Sequence, residues 1–472
     1  MAYFGAAAGF PTLMADFLIH WHPERKAGNG AGEPRPPTTM ERKATTAGEK
    51  PSKGHPIMAA TEAQARRALR RADFPWSPAV ADPRKAHNQR HEHQGMLSVL
   101  AAAFACGKTC LRRVEEFSAD LSKGARRALG VGRAISDTAL FRLLAKQSVS
   151  GLRETVWGQV QDLLQRKVVG NDLFPFGVLS IDGKSLWAST STHVEGSKTT
   201  IDPASGVLTA ALMSVRAVLT SSRVRPCLDA EVIGEKAGEA PAFRLMFPRL
   251  TKEFGGSFCI VTTDAGLTCR ENAALVEAAG KHYLFALREN QKSLHALAVS
   301  KLAEAPLKVR TDDHRNGARI LRELRTVTVS DVADLNFPGL KQLWSLRRQV
   351  TLNGATAPVS DEVRYFVSSI PPTLLSPTQQ LELVRLHWGI ENGHNWTMDV
   401  ALSEDDVQPC QLTRDAIEVV GWLRILGYNL LSTWRAQAPS KDRQPLSWSR
   451  CMELLRDAFV LSSNGVSLAT IA

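Results

Sequence analysis

The sequence is poor in the residues that staple a chain together or anchor it in a membrane. Its seven cysteines, Cys106, Cys110, Cys227, Cys259, Cys269, Cys410 and Cys451, are odd in number and scattered, with no C-x-x-C pair. That argues against a disulfide framework and against a structural zinc site, and it fits a reducing cytoplasm. No run of 18 apolar residues occurs, so no membrane span is expected. The longest apolar candidate, 96–106, has the length of a core helix. Residues 1–21 are apolar but lack a basic start and carry Asp16, unlike a secretory signal. No internal repeat is found.

Acidic residues are the minority charge. Fifty-eight Lys and Arg against 47 Asp and Glu leave a net charge of +11 and a pI near 9.4. A basic surface favours a polyanion, nucleic acid first; the alternative is a basic protein without such a partner. Hydrophobic content of 44% and charged content of 22% are ordinary for a globular protein, and 472 residues are ample for a large core.

Composition shifts divide the chain. Residues 1–81 form an extension rich in Gly, Pro, Thr and charge, expected to be largely disordered, with Met40 and Met58 as alternative starts. Residues 82–170 carry helical patterns, a helix start at Ser136-Asp137 and a basic tilt, which fits either DNA-end binding or plain packing. From 171 to 304 short apolar runs alternate with helical ones. PFGVLSIDGK ends in Asp182 and SFCIVTTD in Asp264; each reads as a buried strand with an acid at its carboxyl end. The alternation predicts an α/β sheet, whose ligands gather at such strand ends. Residues 305–370 read as an all-β insertion, 371–440 as the last part of the core, and 441–472 as a helical tail. Between Lys308 and Arg348 nine basic residues face five acids, a surface that suits phosphate or simply water.

One stretch organises the rest: VRLHWGIENGHNWTMDVALSEDD, 384–406. At 3.6 residues per turn Val384, Trp388, Glu391, Asn395 and Met398 share a helical stripe. An acid among tryptophans and amides suits a helix that delivers one carboxylate to a partly buried polar site. Two strand-end acids and a helix acid are what a pair of Mg²⁺ ions needs for in-line displacement at phosphorus, since a hard cation takes oxygen ligands and keeps several waters. Spacing alone does not unite them; only a fold can.

Four stretches resemble the DDE-type bacterial insertion-sequence transposases, in the group that includes the H-repeat-associated proteins. They are LSIDGKSL at 179–186, VIGEKAGE at 232–239, the segment 262–294 that opens on TTDAGL, and RLHWGIENGHNWTMDVALSEDD at 385–406. The resemblance spans roughly 82–431. It implies a ribonuclease-H-like mixed α/β sheet with flanking helices. It implies Asp182, Asp264 and Glu391 as catalytic metal ligands, with two Mg²⁺ as cofactor and Mn²⁺ an acceptable substitute. The implied partner is double-stranded DNA, both transposon ends and target, bound by a homodimer in the bacterial cytoplasm, with no membrane. The implied reaction cuts at inverted repeats and joins the freed 3′ ends. The alternatives are a transposase-derived DNA-binding protein without catalysis, and a ribonuclease-H-like nuclease that never joins ends. The chain departs from the group at Trp187, Glu289 and Asn395, and Met398 stands where a related pattern has Lys.

Supporting roles follow from chemistry. Lys184, Arg288, Lys292 and Arg385 stand as phosphate contacts or as solvated charges. His387, Trp388, Asn392 and Trp396 are candidates for the DNA face, with core burial the alternative for the tryptophans. Asn290 and Gln291 would bond either DNA or backbone. Asp399, Glu404 and Asp405 would orient the ligands from behind.

Overall fold

A computed structural model describes residues 74–191, 193–201, 206–234, 238–315, 317–329, 337–404, 413–437 and 446–461. Of the extension 1–81 expected to be largely disordered, residues 1–73 lie outside this set, as does the role of Asp405; within 74–81, Phe74 and Val80 are buried in the helical core.

Five helices lead: α1 (His93–Ala105), α2 (Leu111–Asp120), α3 (Lys123–Ala128), α4 (Asp137–Leu144) and α5 (Leu152–Gln165). α1 is apolar all round and almost wholly buried, as a helix with no polar face must be. α4 starts where the sequence places it: Ser136 Oγ accepts from the Ala139 N–H, and Asp137 meets the positive end of the helix. These helices share one apolar core with α10 (Arg414–Gln437) and α11 (Trp448–Leu461). Gly427 makes a close seam, since a Cβ there would come 2.6 Å from the Ala101 carbonyl oxygen of α1.

Among the described residues ten strands form one mixed sheet. β1 (Val178–Ser189), β2 (Lys198–Ile201), β3 (Leu208–Leu219) and β4 (Cys227–Val232) come first. After α6 (Glu239–Phe254) follow β5 (Ile260–Thr263), α7 (Arg270–Ala278), β6 (His282–Leu287) and α8 (Lys292–Ala303). β4 pairs antiparallel with β3, and β3 antiparallel with β1; β1, β5 and β6 run parallel. The order β4-β3-β1-β5-β6 is the ribonuclease-H-like arrangement. The parallel centre is buried on both faces, which is why Val178–Ile181 and Ile260–Thr263 read as short unbroken runs of apolar and small residues.

The expected β-rich segment is real but continuous with this sheet. β7 (Leu307–Arg315), β8 (Ala318–Thr328), β9 (Gln342–Leu352) and β10 (Ser360–Ser368) form a meander whose last strand pairs antiparallel with β6. The whole order is β2-β3-β1-β5-β6-β10-β9-β8-β7.

Helices cover both faces. Leu179 and Ile181 of β1 pack with Phe243, Met246 and Phe247 of α6. Val178 and Ile260 pack on the opposite face with Leu381 and Val384 of α9 (Pro377–Gly389). Ser376 caps α9 in a reciprocal box with Gln379. Among the described residues no helix is long and apolar enough to cross a membrane.

Candidate active site

The site forms where β5 stops beside β1. The last parallel pair is Ile181 with Thr263; beyond it β1 runs on to Ser189, paired only with β3. Asp182 is therefore mid-strand, not at a strand end as the sequence suggested. It stands at the end of the parallel pairing, next to the point where Asp264 leaves β5. Asp264 caps the short 3₁₀ turn Ala265–Leu267, its carboxylate accepting from the Ala265 N–H.

Glu391 arrives from the α9 face. The helix does not stay α-helical there: it widens to π winding over Ile390–Asn395 and again over Thr397–Ala401. Such widening recurs at functional sites. It also corrects the stripe read at 3.6 residues per turn. Asn395 and Asp399, not Met398, follow Glu391 toward β1. Asn395 Nδ2 donates to Asp182 Oδ2 at 2.9 Å, and Asp399 pairs with Lys184. Met398 is buried in the helical core.

The acids act on one another. Burial first, then the charges of Glu391, Asp264 and Glu239, push the Asp182 carboxyl well above the ordinary range. A hydrogen bond from the Gly183 N–H, 2.8 Å, opposes this weakly. Glu391 is raised by burial and by Asp264, against the pull of Arg364 and Arg288. Negative charge gathers here with too little positive charge to answer it.

His387 stands one turn before Glu391. Its Nδ1 lies 3.0 Å from Thr262 Oγ1, which in turn bonds Ser180 Oγ at 2.8 Å. Burial lowers the imidazole to about 4, so it is neutral at pH 7. A cavity of about 350 Å³ opens between β6, β10 and α9, lined among others by Asp264, Arg288, Arg364, Trp388 and Glu391. The Arg364 guanidinium lies 5.1 Å over the Trp388 ring.

Behind the acids is a buried charged cluster. Glu404 is fully buried, Arg216 is 1% exposed and Lys184 5% exposed. Arg216 bonds Glu404 Oε1 at 2.7 Å, and Lys184 Nζ lies 3.6 Å from Glu404 Oε2 besides its bond to Asp399. Lys184 thus corrects an expectation: its ammonium faces carboxylates inside the protein, where no phosphate backbone reaches. Asp399 pairs with Lys184, and Glu404 with Arg216 and Lys184. Asn290 and Gln291 bond backbone: Asn290 Nδ2 donates to Ala265 O at 2.9 Å and Gln291 Nε2 to Thr268 O at 3.3 Å, tying the turn after β6 to the Asp264 loop. Arg288, Lys292, Arg385 and Asn392 are exposed, and Trp396 is half-buried.

Sequence reading missed Arg364 and Glu239. Arg364 sits in the strand pattern VRYFV, where only the position of β10 beside α9 reveals its use. Glu239 closes a motif that was read without assigning it a role.

Among the described residues no three His, Cys, Asp or Glu side chains form a finished metal cage. Asp182 and Asp264 instead turn an oxygen toward neighbouring N–H groups. Their donor chemistry still fits a hard divalent cation: oxygens only, crowded and half-buried at the end of the β1–β5 pairing.

The Transposase DDE domain family matches residues 216–430. The protein YbfL of Escherichia coli (strain K12) is 30% identical over 190 residues, 37% of this chain and 47% of its own length. The "H repeat-associated putative transposase YhhI" of the same organism is 29% identical over 190 residues, with the same coverage of 37% and 47%. The chain thus spans about half the length of the curated relatives it matches. A chain of the piggyBac transposase synaptic complex with hairpin DNA, solved by cryo-EM, aligns over 86% of this chain and 76% of its own at 14% identity, with a TM-score of 0.39. Over residues 216–430 the chain is thus similar to the Transposase DDE domain family, and over 190 residues to an H repeat-associated putative transposase.

Proposed function

We propose that the protein is a metal-dependent DDE transposase that cuts DNA at the inverted repeats of an insertion sequence and joins the freed 3′ ends to a target. The observation that carries this reading is the convergence of Asp182, Asp264 and Glu391, from three different elements, at the end of the β1–β5 pairing, where Glu391 and Asp264 raise Asp182 and Asp264 raises Glu391.

Asp182, Asp264 and Glu391 would hold two Mg²⁺ ions. When bound, such ions activate the attacking oxygen and stabilise the leaving oxygen of an in-line displacement at phosphorus. The remaining work falls to the chain. Asn395 and the Gly183 N–H fix the Asp182 carboxylate, so it meets its ligand already oriented. Arg288 and Arg364, beside Asp264 and Glu391, supply positive charge where a scissile phosphate would lie. His387, neutral and tied to Thr262, adds no competing cation. Water would be the nucleophile for cutting and the 3′ hydroxyl for joining. Binding two transposon ends would call for a homodimer on DNA.

The test is a plasmid carrying the element's ends, incubated with Mg²⁺, followed by a joining assay with pre-cut ends. Nicking at the repeats and joined product are expected. Asp182→Asn, Asp264→Asn and Glu391→Gln should each abolish both while still shifting the repeat DNA in a gel. Wild type that binds the ends but cuts nothing would favour a non-catalytic DNA-binding protein; cut ends never joined would favour a nuclease.

A further inference from the structure

A fourth carboxylate stands against the two aspartates. Glu239 is the first residue of α6, directly after Gly238. A Cβ added to Gly183, the neighbour of Asp182, would fall 2.1 Å from Glu239 Oε1. One added to Gly266, just past Asp264, would fall 2.6 Å from Glu239 Oε2. The carboxylate reaches between the two backbone segments that carry the aspartates, and a side chain at either Gly183 or Gly266 would have to push it aside. Glycine at both positions lets Glu239 stand there.

Glu239 also comes from the other side. α6 packs on the face that holds Leu179 and Ile181, whereas α9 packs on the face that holds Val178. The aspartates lie between a glutamate from each face. Asp264 acts on both glutamates, raising each, and Lys198 of β2 is the cation that opposes this at Glu239. The bland role for an acid in a first helical turn is to complement the helix dipole. That role does not require glycines on the two segments the carboxylate faces.

We propose that Glu239 is a fourth cation ligand of this site, closing the coordination of the ion at Asp182 and Asp264 from the face opposite Glu391. This rests on the reading that these acids hold divalent ions.

The experiment is Mn²⁺ titration of the full chain, followed by electron paramagnetic resonance of free Mn²⁺, beside thermal melts without metal. Wild type should take up two ions. Glu239→Gln should lose one of them or bind it at least tenfold more weakly, with a melting temperature equal to or above wild type. Gly266→Ala, which pushes the carboxylate aside, should show the same loss. If Glu239→Gln fails to fold, Glu239→Asp, which shortens the reach, replaces it with the same expected loss. A Glu239 variant that titrates like wild type overturns the inference alone, and a lowered melting temperature with unchanged Mn²⁺ uptake assigns Glu239 to the α6 terminus. A wild type that takes up no Mn²⁺ overturns the parent reading and this inference together.

Discussion

Asp182 is an acid held where charge is unwelcome. Burial and three neighbouring carboxylates raise it above its ordinary 3.8, and Glu391 above 4.5. The sign of the linkage follows. A carboxyl whose folded value is raised binds its proton more tightly in the fold, so its contribution to stability is complete below the unfolded value and is lost as pH rises through the folded one. Without divalent ions the protein should therefore lose stability as pH climbs from about 4 toward neutral. Adding Mg²⁺ at pH 7 should restore it, because a ligand that binds only the fold stabilises by mass action. Asp182→Asn removes the charge but keeps an oxygen for the Gly183 N–H. It should raise the metal-free melting temperature at pH 7 by about 2–4 °C, the shift that roughly 1 kcal/mol gives in a domain of this size. The same variant should lose the Mg²⁺ response. A melting temperature that stays flat from pH 4 to 7 in chelator would show that the carboxylates do not repel as described. At this scale the acids were legible, because polar residues beside apolar runs stand out. Lys184 was not: nothing in Asp-Gly-Lys tells that the lysine turns inward to Asp399 and Glu404 rather than outward to a phosphate.

The element that sets the site is the widened helix after Gly389. Its π winding has to be held, since a backbone left alone returns to the α form. Three tethers hold it: Asn395 on Asp182, Asp399 on Lys184, and, just beyond it, Glu404 on Arg216. The last is the deepest, and His394 stands 3.5 Å from the same guanidinium. Glu404→Gln would leave Arg216 and Lys184 without their shared carboxylate. Removing one partner of a buried pair costs about 3–5 kcal/mol. The expected outcome is a free energy of unfolding in urea lowered by that amount, with a correspondingly lower midpoint, together with lost cleavage even though Glu404 touches no substrate. An unchanged midpoint would mean that the pair adds nothing to the fold. Periodicity announced a helix here but not its winding, because the tethers come from strands β1 and β3, far away in the chain. The strands had the same uneven legibility. β5 falls within SFCIVTTD and starts three residues after that run begins, because buried runs are local signals. β7 was missed: LKVRTDDHR is an exposed, charged edge whose pairing with β8 is what makes it a strand. β2 and β4 were missed for a like reason, being short and lying on the outer edge of β3.

At the scale of the whole molecule, the sheet and the helices on its two faces bring a basic chain to an acidic centre. On the proposed function, the net charge of +11 would draw DNA in, and the clustered acids would push it away without cations. The alternation of elements told of an α/β sheet, but not that the β-rich segment extends it through β10 on β6, nor that the first and last helices share one core, since both rest on contacts between distant segments. Binding should thus be dominated by phosphate neutralisation. For about 6–10 phosphate contacts, affinity should fall by roughly 10³–10⁵ between 50 and 200 mM salt. Arg288 and Arg364 line the cavity beside Asp264 and Glu391. Replacing either with Ala should lower the slope of log affinity against log salt by about one. The measurement is fluorescence anisotropy of labelled repeat DNA across a salt series, with Mg²⁺ and with chelator. Chelator should weaken binding of wild type more than of Asp182→Asn, because only wild type then presents the full uncompensated acid cluster to the phosphate. Equal weakening in both would place the DNA away from these carboxylates, and an affinity that ignores salt would remove the basic surface from the account of binding.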